Sequence, residues 1–262
     1  MATWSPFPHP GLFSFTADSV KRSWAVLHAG DSEPLPRSPL LLQAWAYFHN
    51  GDFSAARTLG LEAAATGETG GMTVANKATC IYACYLEKSE HARLDLFMDV
   101  AQRAGVQTVH APQDQNAWFL LAYALGRYSQ AISVAKALAQ GLGSKVKESL
   151  ERTLELCPKH VEARIALGSF HAEVIDKVGA LIGGMTYGAR KDVGLQLLAE
   201  ALQQNPDSAA GLVEYADALV MLNGEACHDQ ANQLYERAAS CVPVDAMEAL
   251  YCELARTELA TH

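Results

Sequence analysis

Three segments of this chain end alike: "LERTLELCP", "LLAEALQQNP" and "LYERAASCVP" stop at Pro158, Pro206 and Pro243. Eight positions before each proline stands a large side chain, Leu150, Leu198 or Tyr235. Five before it comes a smaller one, Thr153, Ala201 or Ala238, and twelve before it Val146, Gly194 or Ala231. That spacing puts large and small residues on one helical face. The proline then stops the helix, because it has no N–H to donate and forces the preceding residue out of helical geometry. Beyond Pro158 and Pro206, Leu167-Gly168 and Tyr215-Ala216 fall at equal offsets, a large residue followed by one small enough for two helices to approach. A unit repeated in this way buries its apolar stripe only against its neighbours. Nowhere do β-branched residues alternate with polar ones over a useful length, so no strand is expected.

A second pair of segments carries another part of the unit. "NGDFSAARTL" and "LGRYSQAISV" share Gly51, Phe53, Ser54 and Ala56 with Gly126, Tyr128, Ser129 and Ala131. In this pattern glycine ends one helix, the aromatic packs in the turn, and alanine opens the next helix. Together these residues resemble the tetratricopeptide repeat (TPR) family over about residues 38–66, 114–140, 145–176 and 189–260, with 73–105 as a degenerate unit. The resemblance implies an all-α, tetratricopeptide-like α-solenoid of antiparallel helix pairs, each of 34 residues. It also implies protein–protein interaction without chemistry of its own. The expected organisation is a proline-rich arm over residues 1–37 and a repeat domain over 38–262. The arm holds one short helix in "TADSVKRSWAVLHAG", capped by Thr16 or Asp18 and ended by Gly30.

Repeat spacing isolates one anomaly. Pro158 to Pro206 is 48 residues, 34 + 14, whereas Pro206 to Pro243 is 37, 34 + 3. The surplus centres on "GALIGGMTYGARKDVG", residues 179–194, giving an apolar, glycine-rich insertion at about 177–189. A phosphate loop is excluded by residue type, because Met185 stands where the phosphate-binding lysine belongs. The first helix is expected to run to Ile182 and to be ended by Gly183 and Gly184, with helix resuming near Ala189. A loop that only joined helices would need polar residues, yet this one offers Leu181, Ile182, Met185 and Tyr187. These four are expected to bind a partner protein, to meet a second copy of the chain in a homo-oligomer, or to pack under the arm's Trp4, Phe7, Phe13 and Phe15.

Residues 160–245, with "YGA" before one helix and "P…YADAL" after it, are also similar to the T-component proteins of TRAP transporters. Those are helical partners of periplasmic solute-binding proteins. That resemblance implies an alternative role, a transport accessory binding an apolar small molecule or a solute-binding protein.

Mapped by offset from proline, the family's peptide groove would include Glu162, Ile165, Ser169 and Glu173, then Ala210, Val213 and Asp217. These are acidic or apolar, so they suit a basic or apolar segment and not a C-terminal carboxylate. The charge agrees. Residues 1–160 hold 14 acids and 14 bases, and 161–262 hold 15 and 6, so the net −9 lies wholly in the second part. Such a surface repels phosphate backbones, and no nucleic-acid partner is expected. No apolar run is long enough to insert in a membrane, and the first residues lack a secretory pattern. The six cysteines have neither disulfide-framework nor zinc spacing, so a cytoplasmic location is expected. His171, Glu173 and Asp176 share a helix without converging as metal ligands. No nucleophile–base arrangement is legible, so neither an enzyme nor a cofactor is expected.

Overall fold

The computed structural model describes residues 4–261. It is all-α: among those residues there are fourteen α-helices, one short 3-10 turn and no strand. They divide into two compact units, 4–28 with 32–156 and 245–247, and 29–31 with 157–244 and 248–261.

The first unit begins with the arm. Thr16 and Ser19 form a capping box that starts α1 (Ala17–Leu27), one turn earlier in stopping than Gly30. α2 (Pro39–Asn50) starts with Ser38 as cap and proline in its first turn, and ends on Gly51 at φ +88°. Asp52 caps Ala55 N, and α3 (Phe53–Ala65) returns antiparallel. α4 (Thr69–Tyr85) and α5 (Glu90–His110) make the next hairpin, where the degenerate unit was expected.

α6 (Gln115–Gln130) corrects the sequence reading. Gly126 does not end a helix; it lies inside α6. The reason is the residue that follows. After Gly51 comes Asp52, a helix cap, but after Gly126 comes Arg127, which cannot accept from a backbone N–H. A capping side chain appears only at Ser133, which starts the six-residue α7 (Val134–Ala139). α8 (Leu142–Leu156) then packs along α6, so the two stretches read as separate matches form one hairpin.

The arm's aromatics belong to this unit. Trp4 stacks on Tyr82, Phe7 lies against Gly51, and Phe15 meets His49 edge-on. Trp24 of α1 and His28 just after it pack on Trp45 of α2, burying face residues that an open repeat would leave accessible. Beyond α1, the chain crosses the N-terminal ends of α4 and α6. Gln115 donates to Ser32 O at 3.2 Å, and the Glu33 carboxylate, buried beside Gly70, accepts from Asn116. A carboxylate there meets the positive end of each helix dipole.

In the second unit, α9 (Val161–Val178), α10 (Ala180–Tyr187) and α11 (Lys191–Gln204) form one repeat, and α12 (Ala209–Asn223) with α13 (His228–Ser240) the next. A 3-10 turn, Gly224–Cys227, joins the last two. α14 (Ala246–Thr261) follows Pro243 and contributes Ala255 to a core of Leu212, Val213, Leu234 and Tyr235. α8, α11 and α13 each stop two or three residues before the expected prolines.

Candidate interaction surface

The surface begins where α9 and α11 touch. A Cβ on Gly168 would lie 2.6 Å from Leu198 Cγ and 3.0 Å from Gly194 O, so two glycines bring the backbones together. Leu198, Ala201, Val161 and Ile165 fill the space beneath. Ile165 and Val213 are therefore core residues, and the groove positions assigned to them are corrected: their side chains are spent on packing between helices.

α9 ends at Val178, not Ile182. Gly179, at φ +83° and ψ 154°, breaks the helix, and the segment expected as loop forms α10. Gly183 and Gly184 lie inside that helix, and Gly183 is buried. A Cβ on it would come 2.9 Å from Val174 Cγ1, so its bare backbone lets α10 fold back on α9. Gly188, left-handed at φ +66°, ends α10 with its N–H donating to Gly184 O at 3.0 Å. His171 then holds the return, its Nδ1 accepting from Arg190 N at 3.1 Å. That contact gives His171 a structural place on α9, and no group of three or more His, Cys, Asp or Glu fit to hold a metal occurs among the described residues.

The four apolar residues of the insertion divide. Tyr187, one turn beyond Gly183, is half-buried with its ring edge-on to Phe170 at 6.4 Å. Leu181, Ile182 and Met185 face outward, 76%, 57% and 82% exposed. α10 carries no charged side chain at all. The arm's aromatics are engaged within the first unit by the contacts above.

The acidic positions also differ in what they do. Glu162 N donates to Gly30 O, and its side chain packs along Gly30. Buried Ser169 donates to Glu214 Oε2 at 2.7 Å, joining α9 to α12. Asp217 accepts from the Tyr235 hydroxyl, joining α12 to α13; burial first, then that carboxylate, pushes the phenol well above its ordinary range. Glu173 and Ala210 are half-buried, and Asp176 is exposed one turn from α10. Ser169 and Asp217 thus serve cross-helix bonds. Their partners lie 45 and 18 residues away, and no spacing rule in the sequence points to them.

The described part of the chain superposes on the crystal structure of a thermophilic TPR protein from Thermus thermophilus, with a TM-score of 0.58 and 16% identity. The match covers 83% of this chain and 97% of that one. At that identity the likeness defines the fold, a TPR-like stack of helix hairpins, and nothing finer. No family model and no curated protein matches the sequence. The comparisons give the T-component resemblance no support. Among the described residues, no helix is long and apolar enough to cross a membrane.

Proposed function

We propose that the protein is a non-catalytic interaction module that captures a partner protein through α10 and the acidic surface beside it. One observation carries the reading: Leu181, Ile182 and Met185 stand exposed together on a short helix without a charge, fixed to α9 by Gly183 and His171. A connector would be polar, and three large apolar side chains held on a rigid support match the anchors that dominate protein interfaces. Glu173 and Asp176 of α9 lie close by in sequence, and residues 161–262 carry the whole net charge of −9. The fitting partner segment is accordingly apolar with basic flanks, and nucleic acid is disfavoured. A second copy of the chain is the competing occupant. The reading carries with it a cytoplasmic setting.

The test is the triple variant Leu181→Ser, Ile182→Ser, Met185→Ser in the full chain. Partners are identified by affinity purification from the native cell with mass spectrometry, and self-association is followed by light scattering. Loss of a protein partner, with the melting midpoint unchanged, supports the reading. Loss of dimerisation assigns the patch to self-association. Unchanged binding and unchanged mass overturn it.

A further inference from the structure

Residues 4–15 of the arm lie on the first unit as a bound peptide would. They form neither helix nor strand. Phe7 alone is buried; Trp4, Phe13 and Phe15 are half-buried, and the other eight residues are exposed. The Trp4 ring stacks on Tyr82 of α4 at 4.0 Å, with the Arg57 guanidinium of α3 5.7 Å from its centre. The Phe7 ring occupies the space a Cβ on Gly51 would need, 2.6 Å from Phe7 Cγ, so glycine keeps this socket open. Phe15 meets His49 of α2 edge-on at 5.9 Å, and Phe13 bridges to Phe7 at 6.5 Å and to Phe15 at 6.3 Å.

Side chains also grip the arm's main chain. Asn50, the last residue of α2, pairs with both backbone groups of Phe15: the Phe15 N–H donates to Asn50 Oδ1 at 2.7 Å, and Asn50 Nδ2 donates to Phe15 O at 2.9 Å. The Ser5 N–H donates to the Tyr82 hydroxyl at 3.3 Å, which donates in turn to Glu87 at 2.9 Å. Main-chain hydrogen bonds that hold any sequence, together with separate places for chosen side chains, are the two parts of peptide recognition. From Thr16 onward the chain is built in differently. The capping box starts α1, and Trp24 packs on Trp45 and donates Nε1 to Glu33 O at 2.8 Å.

We propose that Tyr82, Gly51 and Asn50 form a peptide-binding surface, that the arm occupies it as a displaceable ligand of its own chain, and that the partner is a non-helical, uncharged segment with aromatics and prolines spaced as in residues 4–15. The arm itself shows the chemistry that fits: it carries no Asp, Glu, Lys or Arg, and its four aromatics make the contacts. A surface segment with one buried side chain belongs to the least stable part of a fold. It can leave by rotation at the Thr16 junction while α1 stays in place. Pro6, Pro8 and Pro10 restrict the free arm, which lowers the cost of docking again. All of these residues belong to the first unit, so the assignment is independent of the α10 surface.

The test uses the full chain and a fluorescent synthetic peptide of residues 4–16, read by anisotropy. Trp4→Ala with Phe7→Ala frees the arm, and this variant should keep the helical spectrum and bind the peptide one-to-one. The native chain should bind it at least about tenfold more weakly, because its tethered arm competes at a roughly millimolar effective concentration. Adding Asn50→Ala to the freed variant should weaken binding about tenfold. A peptide that keeps only the four aromatics and three prolines, with serine elsewhere, should bind within about tenfold of the arm sequence. A second measurement needs no variant. In the native chain the Phe15 N–H, although hydrogen-bonded, should exchange at least about tenfold faster than the amides of α2 and α4. The proposal is overturned if the freed variant does not bind the peptide, if Asn50→Ala leaves binding unchanged, if the serine-filled peptide does not bind, or if the Phe15 N–H is protected as well as the helices. A native dimer that Trp4→Ala with Phe7→Ala dissociates would also overturn it, assigning the surface to arm exchange between two copies.

Discussion

Gly60 on α3 and Gly71 on α4 meet backbone to backbone: a Cβ on Gly60 would lie 2.7 Å from Gly71 O, and one on Gly71 would press into Gly60 O and Ala64 N. The obstacle is main chain on both sides, which cannot swing away as a side chain can. Gly71→Ala should therefore destabilise the first unit by about 1–3 kcal/mol or more, measured by denaturant unfolding. Gly126→Ala is the matched control. It lies inside α6 with nothing near the added methyl. It should be neutral or stabilising by up to about 1 kcal/mol. Equal effects from the two changes would mean that α3 and α4 do not cross as described.

Ala201 reports on the second unit. It is fully buried with Leu198, Val161 and Ile165 between α9 and α11. Ala201→Trp should cost on the order of 1–3 kcal/mol or more by overpacking. An unchanged melting midpoint would contradict this packing.

His49 sets a pH dependence. Its Nδ1 lies 2.7 Å from Asp245 Oδ2, and both side chains are buried. Burial lowers the His49 pKa below its ordinary value and outweighs the Asp245 contact, which raises it. The unfolded chain then binds the extra proton first as pH falls, so stability is full above about 6.5 and declines below it. Unfolding free energies at pH 7.5 and 5.5 should differ more for the native chain than for His49→Gln. Equal differences would show that His49 takes no part.

The cysteines divide by burial. Cys80 is buried and its thiol held well above the ordinary range by desolvation; Cys252 is pushed up to about 11, again by burial first. The thiolate is the reactive form. Both should resist alkylation at pH 8 until denaturant is added. Rapid native labelling at either position, located by mass spectrometry, would contradict its burial.

Charge reversal separates the acidic residues by role. Glu173→Lys with Asp176→Lys should slow association with a basic partner and flatten its salt dependence. Asp217→Lys should instead lower stability, because it removes the acceptor of the Tyr235 hydroxyl. Association indifferent to both the paired change and ionic strength would leave the acidic surface a solubility feature.

The local signals in the sequence marked where several of the helices start and stop. Pro158, Pro206 and Pro243, the left-handed Gly51 and the caps Thr16, Ser38 and Asp52 act within a few residues, through donors and steric limits that need no partner. The surplus of residues between Pro158 and Pro206 likewise marked the insertion. Tertiary structure decided what local chemistry leaves open. Gly126 continues a helix because Arg127 cannot cap a new one and α8 is there to pair with α6. Leu181, Ile182, Met185 and Tyr187 look alike in sequence, yet only Tyr187 turns to Phe170, because buried Gly183 fixes which side of α10 meets α9. Arg103 of α5 finds Asn76 of α4, and His49 finds Asp245 across 196 residues. Such pairs are set by how stacked helices bring distant faces together, and no periodicity within one helix encodes them.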